Sequence, residues 1–447
     1  MELTKVSTKL DVEDIQSGVL SPRPSPYVAS YILLRIDDRK VGRELMTKLS
    51  TVVASVADKT SPAGDAWVSA SLSFQGLKAL GVPQESLDSF PLEFQQGMAA
   101  RAGELGDTGE SSPENWEKPL GTKDVHVVLT ALSPNEDKLE SVLERARKTY
   151  ADMHGIKAIW RQNCYALATE REPFGYKDGI SHPAVEGSGI PGSNPREPPL
   201  KAGEFVLGYP DETGNIAVNP KPDIFGRNGT YAVFRKLHQN VASFRKYLKA
   251  NSASPEEEEL LAAKMMGRWR SGAPLALCPE HDNPELGANP KLNNDFLFND
   301  TDPKGFSTPP GSHIRRMNPR DTLGDTTKVN LHRMIRRGTA YGPPLPEGVL
   351  EDDGADRGLI FVFIGANLRR QFEFVQAEWV NNGLLIGAGD DKDPIAGSNN
   401  GAGRFTIPHK PVRKSFYNLP KFVVMRGGEY CFMPGIPALR WLGELDT

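Results

Sequence analysis

Apolar and polar positions alternate in two periods along this chain. Residues 27–36 (YVASYILLRI) form an apolar run with the length and content of a buried strand, and residues 41–57 follow with helical spacing. Residues 67–74 (WVSASLSF) alternate like a half-buried strand and run into a short helix over 75–80. A further strand is predicted over 124–132 (DVHVVLTAL) and an amphipathic helix over 136–153. Strand, helix, strand, repeated, points to an α+β unit with a mostly antiparallel sheet.

The same rhythm returns later. Residues 230–236 (TYAVFRK) read as a strand and 238–250 as a helix. A second helix over 255–269 has Ser254 as N-cap, Pro255 at the first helical position and acids in its first turn. Residues 358–365 (GLIFVFIG) predict a strongly apolar strand and 369–381 (RRQFEFVQAEWVN) an amphipathic helix. We therefore expect two similar α+β halves, although their sequences are too unlike to mark a repeat. At 447 residues the chain exceeds one ordinary core. The expected division is a loosely held arm over 1–26, an N-terminal domain over 27–215 and a C-terminal domain over 216–447. Residues 181–222 and 282–310, rich in Gly, Pro and Asn, are long connections of the kind that often carry function.

Charge narrows the partners. The 53 basic and 57 acidic side chains nearly cancel, and the one like-charge block, Glu256 to Glu259, reads as a solvated helix start. Nothing favours nucleic acid or an anionic membrane as a partner. No apolar run approaches the roughly 18 residues of a membrane span, and the amino terminus lacks a basic segment followed by an apolar core. A cytoplasmic protein is expected, or a secreted one if a leader has been removed. Cys164, Cys278 and Cys431 are far apart and odd in number, so reduced structural thiols are expected rather than a metal or redox pair.

Four segments could carry chemistry. In Phe174-Gly175-Tyr176-Lys177-Asp178-Gly179-Ile180, two glycines bracket a carboxylate. Gly allows close backbone approach to a ligand, and a fixed carboxylate can act as a proton acceptor; a plain surface turn explains Asp178-Gly179 equally well. In Gly311-Ser312-His313-Ile314-Arg315-Arg316-Met317-Asn318-Pro319-Arg320, one His sits among arginines in a short helical turn that Ser312 can cap. An imidazole suits haem iron and guanidiniums suit propionates, but a hydrogen-bonded surface His is the commoner meaning. Ile335-Arg336-Arg337-Gly338 and the carboxyl-terminal Gly427-Gly428-Glu429-Tyr430 with Leu439-Arg440-Trp441-Leu442 say little alone.

Together and in this order, these segments resemble the dye-decolorizing peroxidases. The Gly-x-x-Asp-Gly hallmark is matched at Gly175, Asp178 and Gly179, and His-x-Arg before Asn-Pro-Arg at His313, Arg315 and Asn318 to Arg320. The hydrophobic-Arg-Arg-Gly segment falls at Ile335 to Gly338, and both closing segments are present. The resemblance runs from about residue 27 to residue 442, on the side of the larger, elaborated branch. It implies two ferredoxin-like halves with antiparallel sheets and peripheral helices, and one haem b per chain bound mainly in the C-terminal half.

It also implies roles. His313 takes the position of the proximal iron ligand, Asp178 that of the distal acid-base carboxylate and Arg336 that of the distal arginine, with Arg333 and Arg337 its nearest rivals. Gly175, Gly179, Ile180 and Arg315 are expected at the cofactor. So are Leu359 and Phe361, two apart on one strand face. Asp393 is expected behind the His313 imidazole. The resemblance implies a haem peroxidase that uses hydrogen peroxide to oxidise dyes, phenolics and other aromatic reductants through a ferryl intermediate. Tyr341 is the first candidate for surface electron transfer, with Trp379, Tyr417 and Trp441 behind it. His182 stands where related sequences often have Gln and is the nearest titratable rival of Asp178. A carboxylate ionises at lower pH than an imidazole, so turnover should peak in acid. A homodimer is left open, and the competing reading is a haem-binding or haem-handling protein with incidental peroxidase activity.

Overall fold

The computed structural model describes residues 9–60, 65–194, 197–217 and 220–445. The first eight residues of the expected arm lie outside the described residues.

The first half runs β1 (Val28–Ile36), α1 (Arg39–Leu49), β2 (Trp67–Leu72), β3 (Val127–Ser133), α2 (Glu136–Arg147) and β4 (Ile156–Tyr165). Its strands lie in the order β4-β1-β3-β2, all antiparallel, with Val28 opposite Ser133 on one side and Tyr165 on the other. This is the ferredoxin-like order. Asp38 and Asn135 start the two helices, each accepting the backbone N–H three residues on at 3.0 Å.

The second half repeats that order. It contains β5 (Thr230–Gln239), α3 (Val241–Ala250), α4 (Pro255–Met266) and the short α5 (His313–Met317). Then follow β6 (Ile335–Arg336), β7 (Thr339–Tyr341), β8 (Gly358–Gly365), a β9 (Gly403–Ile407) and β10 (Lys414–Leu419) hairpin, β11 (Val423–Met433) and α6 (Ile436–Gly443). Here the order is β11-β5-β8-β6, with β7 also paired to β8. Phe432 of β11 faces Leu72 of β2, so the two sheets become one nine-stranded sheet. Its far edges approach, since β4 lies against β7 and the Tyr165 hydroxyl donates to the Gly342 carbonyl at 2.8 Å.

Strand alternation divides the core into two layers. Ala29, Tyr31 and Leu33 of β1 join Phe234, Ile360, Val362 and Ile364 on the inner face. Ile32, Leu34 and Ile36 point the other way, against Leu45, Met46 and Leu49 of α1 and Leu139 and Leu143 of α2.

Four expectations change. The arm is not loose where it is described: Gln16 is fully buried and donates through Nε2 to the carbonyls of Ala70 and Pro434, at 2.9 and 2.8 Å. It ties β2 to the end of β11. Strand β2 is buried at all six positions, not half-buried. Its serines are polar yet satisfied inside, Ser69 accepting the Gly18 N–H at 3.0 Å and Ser71 donating to the Val128 carbonyl at 3.4 Å. The helix expected over 369–381 is wound as two π-helical segments, Leu368–Glu373 and Val375–Val380. The wider turn leaves Gln371 inside, donating to the carbonyls of Glu204 and Arg333 at 2.8 and 2.9 Å. Ser312 stands at the N-cap of α5, but its hydroxyl bonds the Lys264 carbonyl instead of capping.

Candidate active site

A cavity of about 300 Å³ opens on the outer face of the second half. Strand β5 has Tyr231, Val233, Arg235, Leu237 and Gln239 on one face. The first two join the core, and the last three line the cavity beside Leu359 and Phe361 of β8. On β11 a bulge between Met425 and Gly427 resets the alternation. Gly427 sits at φ +144°, and a Cβ there would meet Leu120 at 2.5 Å. The reset places Val423 and Met425 at the cavity while Tyr430 and Phe432 stay in the core. The opposite wall comes from α5, from the π-wound segments (Phe372, Val375, Val380) and from residues 395–398. The first half contributes chiefly the loop 172–181.

On that loop, Asp178 is partly exposed, its side chain at 39%. Oδ2 accepts from Arg23 Nη1 at 3.2 Å, and Arg23 also stacks on the Tyr27 ring at 4.1 Å. Arg336, paired opposite Phe363 of β8, donates through Nη2 to the Ile180 carbonyl at 3.0 Å. One guanidinium thus anchors the loop that carries the carboxylate. Burial lowers the Arg336 pKa, and the charge of Asp178 opposes that fall. Gly179 has φ +82° and lines the cavity. Glu172 braces the loop from behind, accepting the N–H groups of Phe174 and Tyr176 at 3.0 and 2.9 Å.

Across the cavity stands His313, in the first turn of α5. Its Nδ1 lies 2.9 Å from Oδ2 of Asp393, which is fully buried. Burial works against ionisation of Asp393, but the imidazole, Arg316 and the Ala396 N–H hold its pKa below the ordinary value. An ionised acceptor makes Nδ1 the protonated nitrogen and leaves the Nε2 lone pair free for a metal.

The cavity thus brings together Asp178, Gly179, Ile180, His313, Arg336, Leu359 and Phe361, with Asp393 reaching it through His313. Three expected residues stand elsewhere. Gly175 (φ +96°) packs against Arg270, where a Cβ would come within 2.8 Å of Nη1. Arg315 turns away to the Thr308 carbonyl at 2.7 Å and to Asp302. Tyr341 is 1% exposed, held by Asp356 at 3.1 Å under a Lys236 ammonium 4.8 Å from its ring, so it offers no surface. Tyr417 is 60% exposed and Trp379 is buried. His182, the rival base, lines a separate small cavity with Arg337 and is absent from the wall that holds Asp178.

The arginine cluster around His313 is expected from the sequence, but neither Arg320 nor Arg268 is singled out there as a site residue. Arg268 and Arg320 are buried cavity residues whose guanidiniums bond only backbone carbonyls and the Asn294 amide, with no carboxylate among the described residues. Burial presses their pKa values down to about 9 and about 10. Arg235 pairs with Asp107, and its Nη1 is buried without a partner. The signal available was Arg320 in Asn-Pro-Arg; Arg268 follows an apolar helix and looked like its end. Such cations call for an anionic occupant. A haem fits these walls: a free imidazole nitrogen on one side, apolar Leu359, Phe361, Phe372 and Val375 around it, and buried Arg268 and Arg320, hydrogen-bonded to no carboxylate, for its carboxylates.

Residues 14–161 match the family model described as the DyP dimeric alpha+beta barrel domain. The chain is 30% identical to the dye-decolorizing peroxidase msp1 of Mycetinis scorodonius, over 90% of this chain and 80% of that protein. A solved dye-decolorizing peroxidase in complex with 2,6-dimethoxyphenol is similar with TM-score 0.85 and 28% identity, covering 97% of this chain and all of its own. A dye-decolorizing peroxidase engineered at its heme pocket for asymmetric sulfoxidation superposes with TM-score 0.82 at 26% identity, over 97% of this chain and all of its own. With sequence, fold and cavity in agreement over nearly the whole length, this chain belongs to the dye-decolorizing peroxidases.

Proposed function

We propose that this enzyme reduces hydrogen peroxide in the cavity between Asp178 and His313, with one haem b per chain, and oxidises dyes, phenolics and other aromatic reductants. Membership of the family makes it a haem peroxidase acting on peroxide and an aromatic reductant. The observation that carries the residue assignment is the polarity of the cavity: a carboxylate beside a buried arginine on one wall, and a carboxylate-backed imidazole on the other.

His313 would hold the iron of a bound haem through Nε2, with the buried Asp393 fixing its ring and raising its basicity. Leu359 and Phe361 keep the opposite space apolar and small. Asp178 takes the first proton from peroxide and returns it to the departing oxygen, so that water leaves. Arg336 stabilises the charge that develops on that oxygen. Its hydrogen bond to Ile180 keeps the guanidinium and the carboxylate in one frame. Bound haem would supply two-electron reduction of peroxide, followed by two successive one-electron oxidations of the aromatic reductant.

Arg23 has a supporting part. Held over Tyr27 and against Asp178, it steers the carboxylate from the arm. Absorption spectra before and after one equivalent of peroxide test the whole reading. A Soret band that changes with peroxide and returns on addition of a phenol is expected; a haem-loaded protein indifferent to peroxide would favour haem handling instead.

A further inference from the structure

Behind the catalytic arginine lies a second cavity that the peroxidase reaction does not use. It encloses about 40 Å³ between the arm and the loop after Asp178, and its wall includes Leu20, His182, Ile190, Ile335 and Arg337. A water needs roughly 10–15 Å³ of such space, so there is room for something larger than one water.

Its electrostatics are one-sided. Arg337 is 5% exposed and donates to the carbonyls of Arg336 and Leu20, each at 3.1 Å, while its Nε has no partner among the described residues. No carboxylate pairs with it there. Arg23 and Arg336 are its charged neighbours, and with burial they press its pKa down to about 9. His182 faces the same group: burial, Arg337, Arg336, Arg23 and Arg333 all keep its imidazole neutral. His182 Nδ1 and the hydroxyl of the wholly buried Ser21 also lack partners. The N–H of His182 itself is taken by Ser193 Oγ at 2.9 Å, which fixes the loop on the cavity.

A buried guanidinium with only cations and carbonyls around it is costly, and an anion removes that cost. Arg337 and His182, each with an orphaned nitrogen, line one small space. We propose that this cavity binds a single small monovalent anion, of halide size, bonded by Arg337 and completed by His182. The anion supplies the negative charge that Arg337 lacks, and it steadies Arg336 through the peptide bond the two arginines share.

The test uses the haem-loaded enzyme and sodium bromide. Crystals soaked in bromide are measured for anomalous scattering, and the melting temperature is followed while bromide replaces gluconate at constant ionic strength. We expect an anomalous peak beside Arg337 and His182, and a saturable rise in melting temperature with no movement of the Soret band. Arg337→Gln should lose both. If that variant does not fold, His182→Phe fills the cavity without touching the charge and should also lose both. Ordered water with no anomalous signal in the cavity overturns the proposal. So does a melting temperature that ignores bromide, or one that rises only as the Soret band shifts, which would place the ion at the iron.

Discussion

The two halves of the sheet share a strand order and differ in what covers the outer face. In the first half, α1 and α2 lie flat on β1 to β3, and Leu34, Leu45, Leu49 and Leu139 close the layer. In the second half, α3 and α4 pack instead with Phe174, Tyr176 and Phe422 in a core of their own. The outer face of β5 and β8 is left uncovered at Arg235, Leu237, Leu359 and Phe361. One topology therefore yields a sealed layer and an open cavity, and the difference lies in where the helices find their apolar partners. Stability should sit in the first half and chemistry in the second, and mutations can separate them.

The largest effect is expected from His313→Ala. It should lose haem or its ferric Soret band while circular dichroism stays native; an unchanged spectrum would show that another group holds the iron. Next comes Arg336→Leu. Haem should stay bound, with kcat/KM for peroxide reduced by about 10²–10³, as for loss of one preorganised donor. Little change there would move the role to Arg333.

Leu45→Ala is the counterpart in the sealed half. Removing a fully buried leucine should cost about 2–5 kcal/mol in denaturant unfolding, with the Soret band and turnover per folded molecule unaltered. Loss of haem from that variant would break the division of labour between the halves.

The last effect depends on pH and concerns the seam. Glu429 of β11 is buried, accepts the Gly121 N–H at 2.7 Å and has its pKa pushed by burial up to about 8. The raised value means that ionisation opposes folding: the cost is absent below the ordinary carboxylate range, grows as pH rises and is complete above about 8. Glu429→Gln keeps an acceptor, so its melting temperature should gain on the parent enzyme between about pH 4.5 and 8 and then level off. A constant difference across that range would mean Glu429 does not titrate there.

Much of this was legible in the sequence. Strand β8 was found to the residue because an eight-residue apolar run between glycines has no other reading, and Leu359 and Phe361 followed from its period of two. The motif order pointed to Asp178, Arg336 and His313, which stand on one cavity. What failed was side-chain direction. Arg315 lies two residues from His313, yet a five-residue helix points it toward Asp302, away from the cavity. Tyr341 was near Arg336 in sequence but faces the interior beneath Lys236. Strand β2 hid its burial behind serines, and β4 was not read because its exposed polar residues break the apolar pattern. Arg268 and Arg320 needed the fold, since only packing shows that both guanidiniums are buried at the cavity and bond carbonyls rather than carboxylates.

Asp178 is the group proposed to move the peroxide proton. Asp178→Asn keeps the size and hydrogen-bonding reach of the side chain and removes the base, so the rate of the Soret change on mixing with peroxide is the direct test. The variant should bind haem with the parent spectrum and react about 10²–10⁴-fold more slowly. A rate equal to that of the parent enzyme would contradict the assignment.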